Sequence, residues 1–220
     1  MRVGELSRRT GIPVPTIKYY LREGLLPHGE LTCPNQAQYG ERHIRRLKLL
    51  RALLEVGGLS IAAAREVVAE VDAPEVSLHQ TLGVAQRAVT PPCVAADDPD
   101  DPAWADPAWH EAIGAADAWV AGRGWRVRKG GPASASLAQL IRTLSDLGRL
   151  DLLGILDDYA AAAERLAAAE LDLVGRRADP DGQVESAVLG TVLGDALLAT
   201  MRRLAQEDAS RRAFATREAS

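Results

Sequence analysis

The side chains best suited to chemistry in the first third of the chain are cations and hydroxyls close to residue 20. They are Thr16, Lys18, Tyr19 and Arg22. On one helix, such groups can hydrogen-bond phosphate oxygens and the edges of bases. A second basic run follows in Arg42, Arg45, Arg46 and Lys48. Both runs predict a surface that binds a polyanion.

The charge of the chain is divided unevenly along its length. Residues 1–54 contain ten Lys and Arg and four Glu, so this segment has a net charge of +6. The whole chain has a net charge of −4, which leaves −10 for the remainder. A basic segment attached to an acidic one is typical of a nucleic-acid-binding module joined to a different domain.

The elements that must position these residues can be read from the turn signals. Residues 5–10 predict a short helix that ends at Gly11, and residues 14–23 predict a second helix that ends at Gly24. Residues 25–39 have no helical period and predict a two-stranded wing. Helices are expected at 41–56 and 61–71.

Seven segments of this region match one known pattern. They are Val3-Gly4-Glu5-Leu6, Thr10-Gly11-Ile12, Thr16-Ile17-Lys18-Tyr19-Tyr20, Gly24-Leu25-Leu26-Pro27, Tyr39, Ile44-Arg45-Arg46-Leu47 and Gly58-Leu59-Ser60-Ile61. Residues 1–72 thus resemble the MerR family of transcriptional regulators. The resemblance implies a winged helix-turn-helix, a homodimer, and binding to near-palindromic double-stranded promoter DNA. RNA polymerase and a small organic effector are further candidate partners.

The expected DNA contacts follow from the two basic runs and the wing. They are Thr16, Lys18, Tyr19, Arg22, Asn35, Gln36, Gln38, Tyr39, Arg42 and Arg45. Tyr20 is expected to be the core member of the tyrosine pair. Ala37 or Gln38 stands where the family usually has a wing arginine, so the wing is nearly neutral.

The rest of the chain predicts an all-helical domain behind a connecting region. We expect a connecting helix and a Pro/Asp-rich linker at 73–107, a helical effector or dimerisation domain at 108–208, and a charged tail at 209–220. Helices are predicted at 108–121, 134–148, 150–177 and 183–208. This half is loosely similar to TetR-type effector domains.

Two functions are expected of the C-terminal half. An apolar stripe predicts dimerisation through Val188, Leu189, Val192, Leu193 and Leu197, or through an intramolecular core instead. The alternative dimer interface is the short segment 76–89. Four tryptophans, Trp104, Trp109, Trp119 and Trp125, are candidates for a ligand pocket, or for sealing the linker onto the helical body.

Other classes of function have little support in the sequence. Cys33 and Cys93 have no neighbouring Cys at ligand spacing, so we expect free thiols and neither a metal nor a cofactor. Catalytic motifs are missing, although an enzyme or a protein-interaction module remains the alternative for the C-terminal half. The chain has no long apolar run and no signal-like start, which predicts a cytoplasmic protein without a membrane partner.

Overall fold

The computed structural model describes residues 1–33, 36–73, 77–90, 106–176 and 180–214, with side chains undescribed at 32, 33 and 180–182. The expected sites at Asn35, Cys93 and Trp104, and the Cys33 side chain, lie outside this description. The described chain is mainly helical with one two-stranded hairpin, so the predicted fold class is confirmed. Two compact units form, one from residues 1–89 and 177–220 and the other from residues 90–176.

The N-terminal unit begins with a helix-turn-helix. Helix α1 (Val3–Thr10) ends at Gly11, which adopts a left-handed conformation at φ 74° and donates its N–H to Ser7 O at 2.8 Å. Helix α2 (Val14–Arg22) follows, with Pro15 in its first turn, where no backbone donor is needed. Leu6 and Ile17 are fully buried between the two helices.

A two-stranded wing and two further helices follow the helix-turn-helix, as the sequence predicted. Strands β1 (Glu30–Cys33) and β2 (Gln36–Gln38) pair antiparallel. Helix α3 (Glu41–Arg51) ends in a π-helical turn at Ala52–Val56, and Ser60 caps helix α4 (Ile61–Asp72) by accepting from Ala63 N at 3.1 Å. Helix α5 (Leu78–Val89) follows.

Helix α9 (Pro180–Phe214) belongs to this N-terminal unit, although it was expected within a domain at 108–208. It contacts α4, α5 and the π-helical turn, and Val188 and Val192 join their core. The fit is tight at Gly57, where an added Cβ would lie 2.1 Å from Val192 Cγ1. The helix also continues to Phe214, into the segment expected to be a charged tail.

Helix α9 contains a strongly apolar stretch. Within residues 183–214 an 18-residue stretch has a mean hydropathy of 1.4, so the helix is long and apolar enough to cross a membrane by length and composition alone. One such helix is weak evidence for a membrane span, because the core helix of a soluble protein passes the same test. Val188 and Val192 use part of this apolar surface in the core of the N-terminal unit.

The second unit contains helices α6 (Pro107–Gly122), α7 (Pro132–Asp146) and α8 (Leu156–Gly175), with a 3₁₀ segment at Leu150–Ile155. Its small core lies between α6 and α7. The buried members are Trp109, Ala112, Ile113, Ala116, Ala135 and Ala138. Asp106 caps α6 by accepting from Ala108 N at 2.9 Å and also pairs with Arg142 at 2.7 Å.

One buried histidine ties the wing to α3. His43 is 2% exposed, accepts the Gly40 N–H on Nδ1 at 3.0 Å and meets the Tyr39 ring edge-on, with centroids 5.1 Å apart. Burial, assisted by the charge of Arg42, lowers the pKa of His43 below its usual 6.5. A neutral ring is needed here, because a protonated Nδ1 could not accept the Gly40 N–H.

This histidine predicts acid sensitivity of the N-terminal unit. The unfolded chain takes up this proton first as the pH falls below about 6.5, so stability is retained above that pH and lost as the pH falls towards the lower native pKa. Urea unfolding between pH 7.5 and 5 should show a slope of up to about 1.4 kcal/mol per pH unit from this site. In His43→Asn, whose amide oxygen can accept the same N–H, that contribution should vanish. An identical pH slope in the variant would contradict the assignment.

Candidate nucleic-acid interface

Helix α2 divides its side chains between the core and solvent. Ile17 is buried, whereas Lys18 and Arg22 are exposed four residues apart, which places them on one face of the helix. Thr16 is half-buried at the first turn. Among the described residues, neither Lys18 nor Arg22 forms an ion pair, so both cations are available to a ligand.

The two adjacent tyrosines of α2 lie at the border between the core and solvent. Their ring centroids are 6.0 Å apart, and both rings are half-buried. Tyr20 packs against the core of the N-terminal unit, and its burial raises the pKa of its phenol. Tyr19 keeps part of its surface accessible beside Lys18, at the position expected to contact DNA.

The wing presents amides rather than charges. Gln36 and Gln38 are exposed on β2, and Leu31 on β1 is 79% exposed. Gly29 permits the close approach that forms the wing, since a Cβ there would lie 2.5 Å from Gln38 O. Tyr39, also expected at the interface, is only 8% exposed, and its ring packs in the core.

The first residues of the chain run along the end of the wing. The Met1 nitrogen donates to Tyr39 O at 2.8 Å, and the Tyr39 N–H donates to Met1 O at 2.9 Å. From this position Arg2 Nη2 donates to Gln36 Oε1 at 3.1 Å. Arg2 was not among the residues expected from the sequence, because the spacing of residues 2 and 36 does not show that they meet.

The cations of α3 differ in what they bind within the protein. Arg42 and Arg45 are exposed and, in the part of the chain that the structure describes, form no ion pair. Arg46 is mostly buried and pairs with Asp72 at the end of α4. Lys48 is likewise exposed and without an ion pair among the described residues, so Arg42, Arg45 and Lys48 remain as candidates for DNA contact, whereas Arg46 does not.

The described tryptophans of the second unit occupy two different environments. Trp109 is fully buried in the core between α6 and α7. Trp119 and Trp125 meet edge-on with centroids 5.6 Å apart, and the Arg123 guanidinium lies 5.5 and 5.6 Å from their ring centres. Glu164 accepts from Trp125 Nε1 at 2.9 Å and from Arg123 Nη2 at 3.2 Å.

The apolar residues of α9 fall on two sides of the helix. Val188 and Val192 are buried within the N-terminal unit, with Leu189 packed partly against the same core and Leu193 half-buried. Leu197 is 61% exposed. Leu197 is nine positions after Val188. Since an α-helix turns by about 100° per residue, the two side chains lie on opposite sides of the helix.

No group of three or more His, Cys, Asp or Glu side chains that could hold a metal ion occurs among the described residues.

Comparisons with known proteins agree with the N-terminal geometry. Residues 1–71 match the family model of the MerR HTH family regulatory protein. The chain is 40% identical over 50 residues to the HTH-type transcriptional regulator ZntR homolog of Haemophilus influenzae, and the match spans 23% of this chain and 37% of that protein. It is 36% identical over 56 residues to the mercuric resistance operon regulatory protein of Bacillus cereus, over 26% of this chain and 42% of the relative. The chain thus covers less than half the length of these two curated relatives.

One solved structure is similar over nearly the entire chain. SCO5550 from Streptomyces coelicolor A3(2), a protein assigned as a transcriptional regulator, is 35% identical, with a TM-score of 0.67. The match covers 97% of this chain and 98% of that one, so it includes the helices beyond residue 71. The resemblance to MerR regulators is confirmed for this region: residues 1–71 form a helix-turn-helix domain that belongs to the MerR family.

Proposed function

We propose that this protein is a homodimeric regulator that binds near-palindromic promoter DNA in the cytoplasm and acts on RNA polymerase there. The observation that supports the DNA-binding surface is the set of exposed cations on α2 and α3 without ion pairs among the described residues. They are Lys18, Arg22, Arg42, Arg45 and Lys48. Cations on such helices hold phosphates and read base edges, and Thr16, Tyr19, Gln36 and Gln38 are further polar candidates for DNA contact.

The first test removes one cation from the proposed recognition helix. Lys18→Ala should weaken DNA binding and reduce the slope of log affinity against log salt by about 0.9, because one phosphate contact no longer releases a counterion. The measurement is a salt titration by fluorescence anisotropy with a duplex that the wild-type chain selects from a random pool. Thermal unfolding should be unchanged, because Lys18 is exposed.

A matched control changes the net charge equally outside the N-terminal unit. Arg149→Ala removes an exposed cation of the second unit, where Arg149 pairs with Asp151 at 2.9 Å. Its salt slope should remain that of the wild type. If Lys18→Ala also kept the wild-type affinity and slope, Lys18 would have no part in the interface.

We place the dimer interface on the outward side of α9. Large apolar side chains are exposed there at Leu197, Met201 and Leu204, which are 61%, 55% and 55% exposed. Spacings of four and three residues place the three on one face, as a helix–helix contact requires. Of the residues first expected to dimerise, Leu197 is part of this face, and Leu193 adjoins it one turn earlier in the helix. Val188 and Val192 support it from the core side.

The alternative interface at α5 has less support. Helix α5 is twelve residues long and packs against α4 and α9 of its own unit. Its buried residues, Thr81 and Ala85, are occupied within the protomer. A short helix already covered on one side offers less apolar surface to a second copy than the outer face of α9.

We also propose that a small organic effector controls the protein through its second unit. Trp119, Trp125 and Arg123 form a partly exposed aromatic and cationic surface there, with Glu164 as a polar anchor. Aromatic faces combined with a few fixed polar groups are typical of ligand sites. Trp109 supports this surface only indirectly, as part of the core below α6.

A protein-docking role for the second unit is the other candidate. It is favoured by large apolar side chains exposed on this unit, namely Leu140, Leu147, Leu150, Leu152, Ile155 and Leu173. Exposed apolar patches often mark contact sites for other proteins. A concentration-dependent rise in melting temperature with one compound from a metabolite panel supports the effector, whereas no response to any compound favours docking.

A further inference from the structure

The wing of this protein lacks a cation of its own. Residues 30–38 contain no Lys or Arg, and Glu30 is their only charged residue. A wing that approaches the DNA backbone with a net negative charge would be repelled by phosphate. Some other residue must therefore supply a positive charge, if the wing is to hold the backbone.

The structure places Arg2 at that position. Two reciprocal hydrogen bonds between Met1 and Tyr39, of 2.8 and 2.9 Å, fix the start of the chain beside the end of β2. The backbone carbonyl of Arg2 accepts the N–H groups of Glu5 and Leu6, both at 3.0 Å. Arg2 is thus anchored through its backbone on both sides, and its side chain extends to Gln36 on the wing.

The charge of Arg2 remains available in this arrangement. Its partner is the Gln36 side-chain oxygen at 3.1 Å, an amide rather than a carboxylate, so the contact orients the guanidinium without neutralising it. A guanidinium has five N–H donors, and this hydrogen bond uses one. The Arg2 side chain is exposed, which leaves the other donors accessible for a phosphate.

We propose that Arg2 is the phosphate-binding residue of the wing, brought there by the pairing of Met1 with Tyr39. The inference rests on the proposed DNA-binding surface and adds a contact to it. Gln36 acts as the positioning residue that holds the guanidinium over the wing. Since the contact is to backbone phosphate, it raises affinity without reading the base sequence.

The test compares variants of the full chain at position 2. Arg2→Gln removes the charge but keeps a polar side chain, and Arg2→Lys keeps the charge. Neither alters the backbone carbonyl that caps α1. Affinity is measured across a salt series with two probes, a duplex selected by the wild type from a random pool and a scrambled duplex of the same length. Arg149→Ala, in the second unit, serves as the matched control for net charge.

We expect Arg2→Gln to bind both duplexes about tenfold more weakly, with a salt slope lower by about 0.9, while Arg2→Lys keeps the slope. An equal loss on both probes is the sign of a phosphate contact, which a purely structural role would not give. Wild-type affinity and slope in Arg2→Gln would overturn the inference while leaving the proposed function intact. If the wild type itself showed no salt-dependent DNA binding, the proposed function would fail.

Discussion

Replacing Val192 with aspartate should destabilise the N-terminal unit by about 3–5 kcal/mol, the range found when a buried charge is left without a partner. Val192 is 1% exposed, packs in the same core as Leu53 and Val67, and lies against Gly57. The carboxylate could not reach solvent at that position without moving α9 away from the π-helical turn. Urea unfolding followed by circular dichroism gives the free energy of unfolding.

The sequence alone favours a different outcome for the same substitution. It places Val192 on a stripe that meets a second copy, so a charge there would split the dimer and leave each protomer folded. A Val192→Asp protein that is monomeric but has wild-type stability would contradict the packing of α9 in the core. Leu197→Asp is the control, because Leu197 is 61% exposed and its substitution should cost the fold little.

Leu197→Asp should instead weaken the dimer by about 30- to 700-fold. Leu197 loses about 1–2 kcal/mol of apolar burial in each copy, a partial share of the value for a fully buried leucine. Because both copies in a two-fold symmetric dimer carry the substitution, the free energy of dimerisation falls by about 2–4 kcal/mol. Sedimentation at a series of micromolar concentrations measures the dimer, and DNA affinity should fall with it although α2 is unaltered.

Leu198→Asp is a control that tests which side of α9 forms the dimer interface. Leu198 is 46% exposed, but it lies about 100° around the helix from Leu197. Leu198→Asp should disturb the dimer less than Leu197→Asp does. If both variants remained dimeric at low micromolar concentration, the outward face of α9 would not be the interface, and α5 would become the better assignment.

The N-terminal elements could be predicted from local signals, because turn residues and apolar spacing determine them. Gly11 ends α1 where the sequence predicted, and Pro15 and Ser60 stand at the starts of α2 and α4, the positions that such residues favour. Helices α6 and α7 were likewise expected within two residues of their observed bounds, whereas α8 begins six residues later than expected, after the 3₁₀ segment at Leu150–Ile155. Helix ends that depend on local residues can be predicted without knowledge of tertiary contacts.

The tertiary placement of α9 could not be read in the same way. Its apolar residues lie on two sides of the helix, so periodicity did not show which side meets the core. Its contact with the π-helical turn joins residues more than a hundred positions apart, such as Gly57 and Val192. The sequence therefore assigned the helix to the domain that precedes it along the chain.

The candidate site shows the same limit. Lys18, Arg22, Arg42 and Arg45 are exposed as their spacing suggested, because each stands on the polar side of a well-patterned helix. The position of Arg2 at the wing depends on the Met1–Tyr39 pairing, which has no signature in the sequence. The buried role of His43 was missed as well, since a histidine among basic residues looks like part of a solvated face.

The most direct test of the account is selection of DNA from a random duplex pool by the full-length chain, followed by footprinting of the enriched sequence. We expect enrichment of a near-palindrome with two protected half-sites about one helical turn apart, bound by one dimer, and loss of protection when Lys18 or Arg22 is replaced by alanine. A pool that shows no enrichment, or a footprint unchanged by both substitutions, would contradict the claim that this protein reads promoter DNA through α2.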